Sequence, residues 1–150
     1  MGRTVPQRLH RPVPYQELDH TADAGVIVRG SSKEETLARL VLAYADLVSG
    51  GGKVLGATEL TVDVEPADLA AMAVDVLREL LFQFETEKGI PESCEVLIFA
   101  PELGARVVVG AGPYDEAAHS EGLRLKAVTL HEARFESDAS GFVAQVVFDV

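Results

Sequence analysis

Apolar and polar positions along the chain follow two periods, and the switches between them mark the elements. Tyr15–Leu18 reads as a short strand and Ala24–Arg29 as a second. The pattern breaks between them, at Asp19-His20-Thr21-Ala22-Asp23. Leu37, Leu40, Val41, Tyr44, Leu47 and Val48 then share one face of a helix. Ser32 followed by Glu35 forms a capping box at its start, and Ser49-Gly50-Gly51-Gly52 ends it. Thr58–Val64 returns to period two, with Leu60, Val62 and Val64 on one side and Glu59, Thr61 and Asp63 on the other. Pro66 opens a second helix, with Asp68 in its first turn. Leu69, Met72, Ala73, Val76, Leu77, Leu80, Leu81 and Phe84 form its core-facing stripe, and Gly89 and Pro91 close it.

The second half reads as strands over Cys94–Ala100, Arg106–Gly110, Leu123–His131 and Phe142–Val150. Turns at Pro101–Gly104 and Ser137–Gly141 predict antiparallel neighbours. The Gly110–Gly122 segment exceeds what a hairpin needs and carries Tyr114, Asp115 and His119, so it is a candidate functional loop. The element order predicts an α+β fold, a single domain with two helices packed on a mostly antiparallel β-sheet.

Composition adds boundaries. A chain of 150 residues suits one domain with its own core. Residues 1–12 carry Arg3, Arg8 and Arg11 with no acid, so residues 1–13 read as a flexible basic tail and 14–150 as the folded domain. No apolar run is long enough to span a bilayer and no charged-then-apolar leader is present, which predicts a cytoplasmic protein without a membrane role. Cys94, the sole cysteine, has Val96, Leu97 and Ile98 beside it and reads as a buried strand thiol.

The net charge of −11 narrows the partners. Such an acidic body repels the phosphates of free RNA or DNA, so stable direct nucleic-acid binding is not expected. A basic protein or a cation fits better, although solubility alone also accounts for the charge.

Several chemistries have no motif here. No glycine-rich loop ends in Lys-Ser/Thr, no Cys/His pairs have zinc spacing, and no G-x-S-x-G elbow occurs. Asp19-His20-Thr21-Ala22-Asp23 offers two carboxylates, a hydroxyl and an imidazole within one break, enough to present several oxygens to a hard cation. A turn with Asp19 or Thr21 bonded to local amides accounts for the same residues. The last strand keeps its alternation to Val150, which would fix the Val150 α-carboxylate beside Asp149. His131 ends a strand, His119 sits in the long loop, and His10 has no evident role.

Taken in order, these segments resemble the archease family over roughly Tyr15 to Val150. Asp19-His20-Thr21-Ala22-Asp23-Ala24-Gly25 is similar to its signature, with Ala24 where many members have Ile or Val. Ser32–Leu37 and Leu77–Phe82 resemble its two helices, and Gly112-Pro113-Tyr114-Asp115 with His119 its long loop. Lys126–His131 resembles a K-A-V/I-T-Y-H segment in which Leu130 replaces the aromatic, and Phe148-Asp149-Val150 its abrupt ending.

The resemblance implies an accessory role. Archeases assist the RtcB-family RNA ligase of tRNA splicing and RNA repair, promoting its guanylylation and multiple turnover without being enzymes themselves. Carried over by residue, Asp23, Asp149 and the Val150 carboxylate would hold a divalent metal, Ca²⁺ first, with Mg²⁺ or Mn²⁺ as alternatives. Asp19, His20 and His131 would be neighbours. Two other readings stand beside it: a metal-dependent hydrolase using Asp19, His20 and Asp23, and a chaperone-like binding module. The hydrolase lacks an assignable set of nucleophile, base and oxyanion site.

Overall fold

The computed structural model describes residues 7–18, 23–56 and 58–150. The elements in order are β1 (Arg8–His10), β2 (Gln16–Glu17), β3 (Asp23–Gly30), α1 (Lys33–Ser49), β4 (Thr58–Val64), α2 (Leu69–Glu87), β5 (Gly89–Ala100), β6 (Gly104–Pro113), α3 (Glu116–His119), β7 (Ala127–Asp138) and β8 (Gly141–Asp149). The expected α+β class holds, and every strand pairing is antiparallel. The strands divide between two four-stranded sheets, ordered β1-β5-β6-β4 and β2-β3-β8-β7. Each long helix touches strands of both: α1 meets β5 and β1 on one side and β3 and β8 on the other, while α2 meets β7 of one sheet and β4, β5 and β6 of the other.

That layering explains why α1 is buried well beyond the stripe seen in its sequence. Leu37, Leu40, Val41, Tyr44, Leu47 and Val48 are buried, and so are Ala38, Leu42, Ala43 and Ala45 around the rest of the helix. The small residues let a sheet approach from the second side. The start of α1 is a capping box with its register shifted by one. Ser32 Oγ accepts from Glu35 N–H at 3.0 Å, whereas the Glu35 carboxylate accepts from Ser31 N–H at 3.1 Å and Ser31 Oγ at 2.6 Å. Gly50, at φ +66, closes the helix in the left-handed region. Asp68 is the N-cap of α2, accepting from Ala71 N–H, so the helix begins at Leu69 and not at Pro66. Met72 is fully buried among the core residues, as its place on the stripe predicted.

The strands depart from expectation where an irregularity hides the pattern. Only Lys88 separates β5 from α2, and Pro91 lies inside the strand, next to a register shift between Pro91 and Ser93 that accommodates its missing N–H. The expected strand Leu123–His131 begins only at Ala127 and continues to Asp138. Its ladder is interrupted between Thr129 and Arg134, so that Leu130, His131, Glu132 and Ala133 stand against Val146 alone. Glu132 takes φ +60 there, and Gln145 Nε2 donates to its carbonyl at 2.8 Å. The long Gly110–Gly122 segment contains the short α3.

The proposed tail needs the largest correction. β1 pairs with β5, joining Arg8 to Glu95, Leu9 to Cys94 and His10 to Ser93, and Leu9 and Val13 pack on the core. Arg11 is almost wholly buried, at 7 % side-chain exposure, with one guanidinium nitrogen 2.8 Å from Asp46 Oδ1 and another donating to the Gly52 carbonyl at 3.0 Å. Tyr15 donates to the second Asp46 oxygen at 2.5 Å, and burial together with that bond pushes its hydroxyl well above the usual phenol range. Residues 8–13 therefore belong to the folded body. Their charged side chains concealed this, because the arginines work through partners 35 or more positions away. Cys94 is buried as expected, and burial pushes its thiol far up, leaving it unreactive.

Candidate functional site

β3 and β8 are neighbours, and their register puts Asp23 directly opposite Asp149. On both strands these residues fall on the face turned away from the helices: Ala24, Val26 and Val28 on β3 and Ala144, Val146 and Phe148 on β8 belong to the core. Directly opposed residues have Cβ atoms roughly 4.5–5.5 Å apart, so two like charges there repel. Among the described residues no basic side chain forms an ion pair with either carboxylate. Asp149 is exposed and Asp23 half-buried.

The frame around the pair is firm. Ala127 of β7 is the partner of Asp149 on the other side, and the Lys126 N–H donates to the Asp149 carbonyl at 2.7 Å. Phe148 is fully buried with its ring 6.1 Å from that of Tyr44 on α1. On β3, the Leu18 N–H donates to the Gly25 carbonyl at 2.9 Å, and Leu18 occupies the space a Gly25 side chain would need, its Cδ1 lying 2.6 Å from a Cβ built there. Val150 lies one residue beyond β8, about half exposed, so the strand stops just short of the end expected for it.

Of the other sequence candidates, Asp19, His20, Thr21 and Ala22 lie outside the described residues. His131 is exposed in the interruption of β7, where its N–H donates to Thr129 Oγ1 at 2.8 Å. Among the described residues no three His, Cys, Asp or Glu side chains gather as a metal group, so His131 does not join the two aspartates. His119 proves to be an internal clasp. Its Nδ1 accepts from the Asp115 N–H at 2.9 Å and its Nε2–H donates to the Lys53 carbonyl at 2.8 Å, the neutral tautomer satisfying both. It is buried and holds the α3 loop against the glycine turn that follows α1, where a Cβ on Gly52 would come 2.1 Å from the Ala118 carbonyl oxygen.

A cross-strand carboxylate pair on an outer sheet face fits a hard divalent cation, which would remove the repulsion between the two charges. Oxygen donors of this kind favour Ca²⁺, Mg²⁺ or Mn²⁺ over Zn²⁺. The family resemblance named both aspartates as ligands of one metal, whereas residue pattern alone did not bring them together. Their contact depends on the β3–β8 register, and Lys126 and Ala127, read in sequence only as part of a family-like segment, prove to complete the frame.

The model of the archease protein family (MTH1598/TM1083) matches residues 15–150. The chain belongs to the archease family. Its relatives include the protein archease of Methanosarcina mazei, 32% identical over 139 residues that cover 91% of this chain and 95% of that one. The solution structure of Methanobacterium thermoautotrophicum protein 1598 superposes with a TM-score of 0.75 at 28% identity, covering 91% of this chain and 98% of that one. The crystal structure of the Thermotoga maritima archease, described as a possible chaperone, shares the fold with a TM-score of 0.56 at 20% identity, over 95% of this chain and 99% of that one. Among the described residues of this archease no helix is long and apolar enough to cross a membrane.

Proposed function

We propose that this archease is a non-catalytic activator of an RtcB-family RNA ligase, acting in tRNA splicing and RNA repair in the cytoplasm. In this reading it promotes guanylylation of the ligase and its repeated turnover. The observation that carries the reading is the placement of Asp23 opposite Asp149 in a chain of this family. The two aspartates hold a divalent metal, Ca²⁺ first among the candidates, together with the Val150 carboxylate where residue 150 ends the chain. Asp19 and His20 precede Asp23 in sequence. Bound there, such an ion supplies positive charge that offsets the negative charge of phosphate oxygens during guanylyl transfer.

The protein's own part is positional. The β3–β8 ladder keeps the two carboxylates opposed, and the Lys126 N–H ties down the main chain at Asp149. The acidic body suits docking to a basic protein surface and disfavours stable binding to RNA itself. The test is a guanylylation assay with purified ligase, GTP and divalent metal, with and without this protein. Activation by the wild type and its loss in Asp23→Asn and Asp149→Asn is the expected outcome. No activation by the wild type would remove the ligase as partner, and full activation by both variants would remove the metal site. Aggregation suppression without effect on the ligase would instead favour a chaperone-like role.

A further inference from the structure

Between the C-terminal ends of α1 and α2 and the α3 loop lies a cleft of about 340 Å³, separate from the carboxylate pair. Phe84 and Tyr114 line one part of it, edge to face with ring centroids 6.0 Å apart. Lys88 and Arg124 supply its charge, with Glu116 as the one acidic residue in the lining. The cleft is therefore net positive on a protein of net charge −11.

Among the described residues neither cation is held in an ion pair. Arg8, Arg11, Arg29, Arg39, Arg78, Arg106 and Arg134 all stand in ion pairs, and Arg124 alone among the described arginines does not. Lys88 Nζ sits 5.2 Å above the Phe84 ring and has no acidic partner among the described residues. Basic residues at helix C-termini usually meet the terminal carbonyls. Here several of those carbonyls are satisfied by main-chain N–H groups: Leu123 donates to Leu47 at 2.8 Å, Lys88 to Phe84 at 2.8 Å, and Tyr114 to Lys88 at 2.7 Å. Both side chains are exposed and remain available to a ligand.

We propose that this cleft binds a mononucleotide-class ligand, its phosphate held by Lys88 and Arg124 and its planar ring set against the Tyr114–Phe84 wall. The forked guanidinium and the ammonium suit a phosphate, the aromatic pair suits a flat ring, and the volume falls within the range of small-ligand sites. The site is independent of the metal reading, because none of its residues belongs to the carboxylate pair.

The test is titration of the isotope-labelled protein with AMP, inorganic phosphate and adenosine, followed by amide chemical shifts. AMP should bind more tightly than either fragment and shift Tyr114, Leu123 and Arg124. Arg124→Gln and Lys88→Gln, both exposed positions, should each weaken AMP by roughly tenfold while circular dichroism melting stays unchanged. Asp23→Asn should bind AMP like the wild type. Three results would each overturn the assignment: no saturable shift up to about 10 mM AMP; unchanged affinity in Arg124→Gln; or phosphate binding as tightly as AMP.

Discussion

Replacing Arg11 by Ala tests whether the N-terminal segment belongs to the fold. The substitution removes a guanidinium at 7 % exposure that donates to Asp46 at 2.8 Å and to the Gly52 carbonyl at 3.0 Å. Hydrogen bonds involving a charged group contribute about 1.5–3 kcal/mol each when one partner is removed from a buried site. Asp46 keeps the Tyr15 hydroxyl and is 23% exposed, so water recovers part of the loss. The net cost is therefore about 2–3 kcal/mol, below the roughly 3–5 kcal/mol of a fully buried broken pair. In a domain of this size that lowers Tm by about 4–12 °C. Thermal and urea melts of wild type, Arg11→Ala, Asp46→Ala and the double variant measure it, and the double variant should lose less than the sum of the singles. A Tm within a degree of wild type for Arg11→Ala, or additive losses in the cycle, would refute the anchoring of residues 8–13.

Asp23→Asn and Asp149→Asn should each stabilise the metal-free protein slightly, by up to about 1 kcal/mol, because an opposed like charge is removed; both should lose Ca²⁺ binding in calorimetric titration, and a stability loss above that size would contradict the outward placement. In a protein that ends at residue 150, adding one residue after Val150 turns its carboxylate into an amide, so cation affinity should fall while the melt is unchanged; equal affinity would exclude that carboxylate as a ligand. Glu35 is held below its ordinary carboxylate value of 4.5, chiefly by the Ser31 hydroxyl. Its stabilising contribution is thus complete above that value and is lost as pH falls through the lower folded-state value, so wild type should lose stability more steeply than Glu35→Gln in acid melts; parallel pH profiles would deny the cap its role. Gly122→Ala would place a Cβ 1.8 Å from the Val48 carbonyl oxygen and should cost about 2 kcal/mol or more in urea melts, since main chain must move; a neutral result would mean that the loop can leave α1 freely.

How much of this was legible beforehand follows from the range of the forces involved. The capping residues Ser32 and Asp68, the stripes of α1 and α2, and the alternation of β4 and β8 all arise from contacts within a few residues, and they could be read directly. Asp23 and Asp149 were nominated by type and pattern, together with a family likeness. Their union was decided by β3 pairing with β8, a choice between strands more than a hundred residues apart. Tertiary structure alone placed the helices between two sheets, because a strand's alternation shows that it has a buried face without saying which partner covers it. It also enlisted Arg8, Leu9 and Arg11, turned His119 into a clasp, and set Lys88 and Arg124 beside an aromatic wall. A charged side chain looks the same in sequence whether it meets solvent, a carboxylate 35 positions away or a ligand, and only the folded neighbourhood distinguishes them.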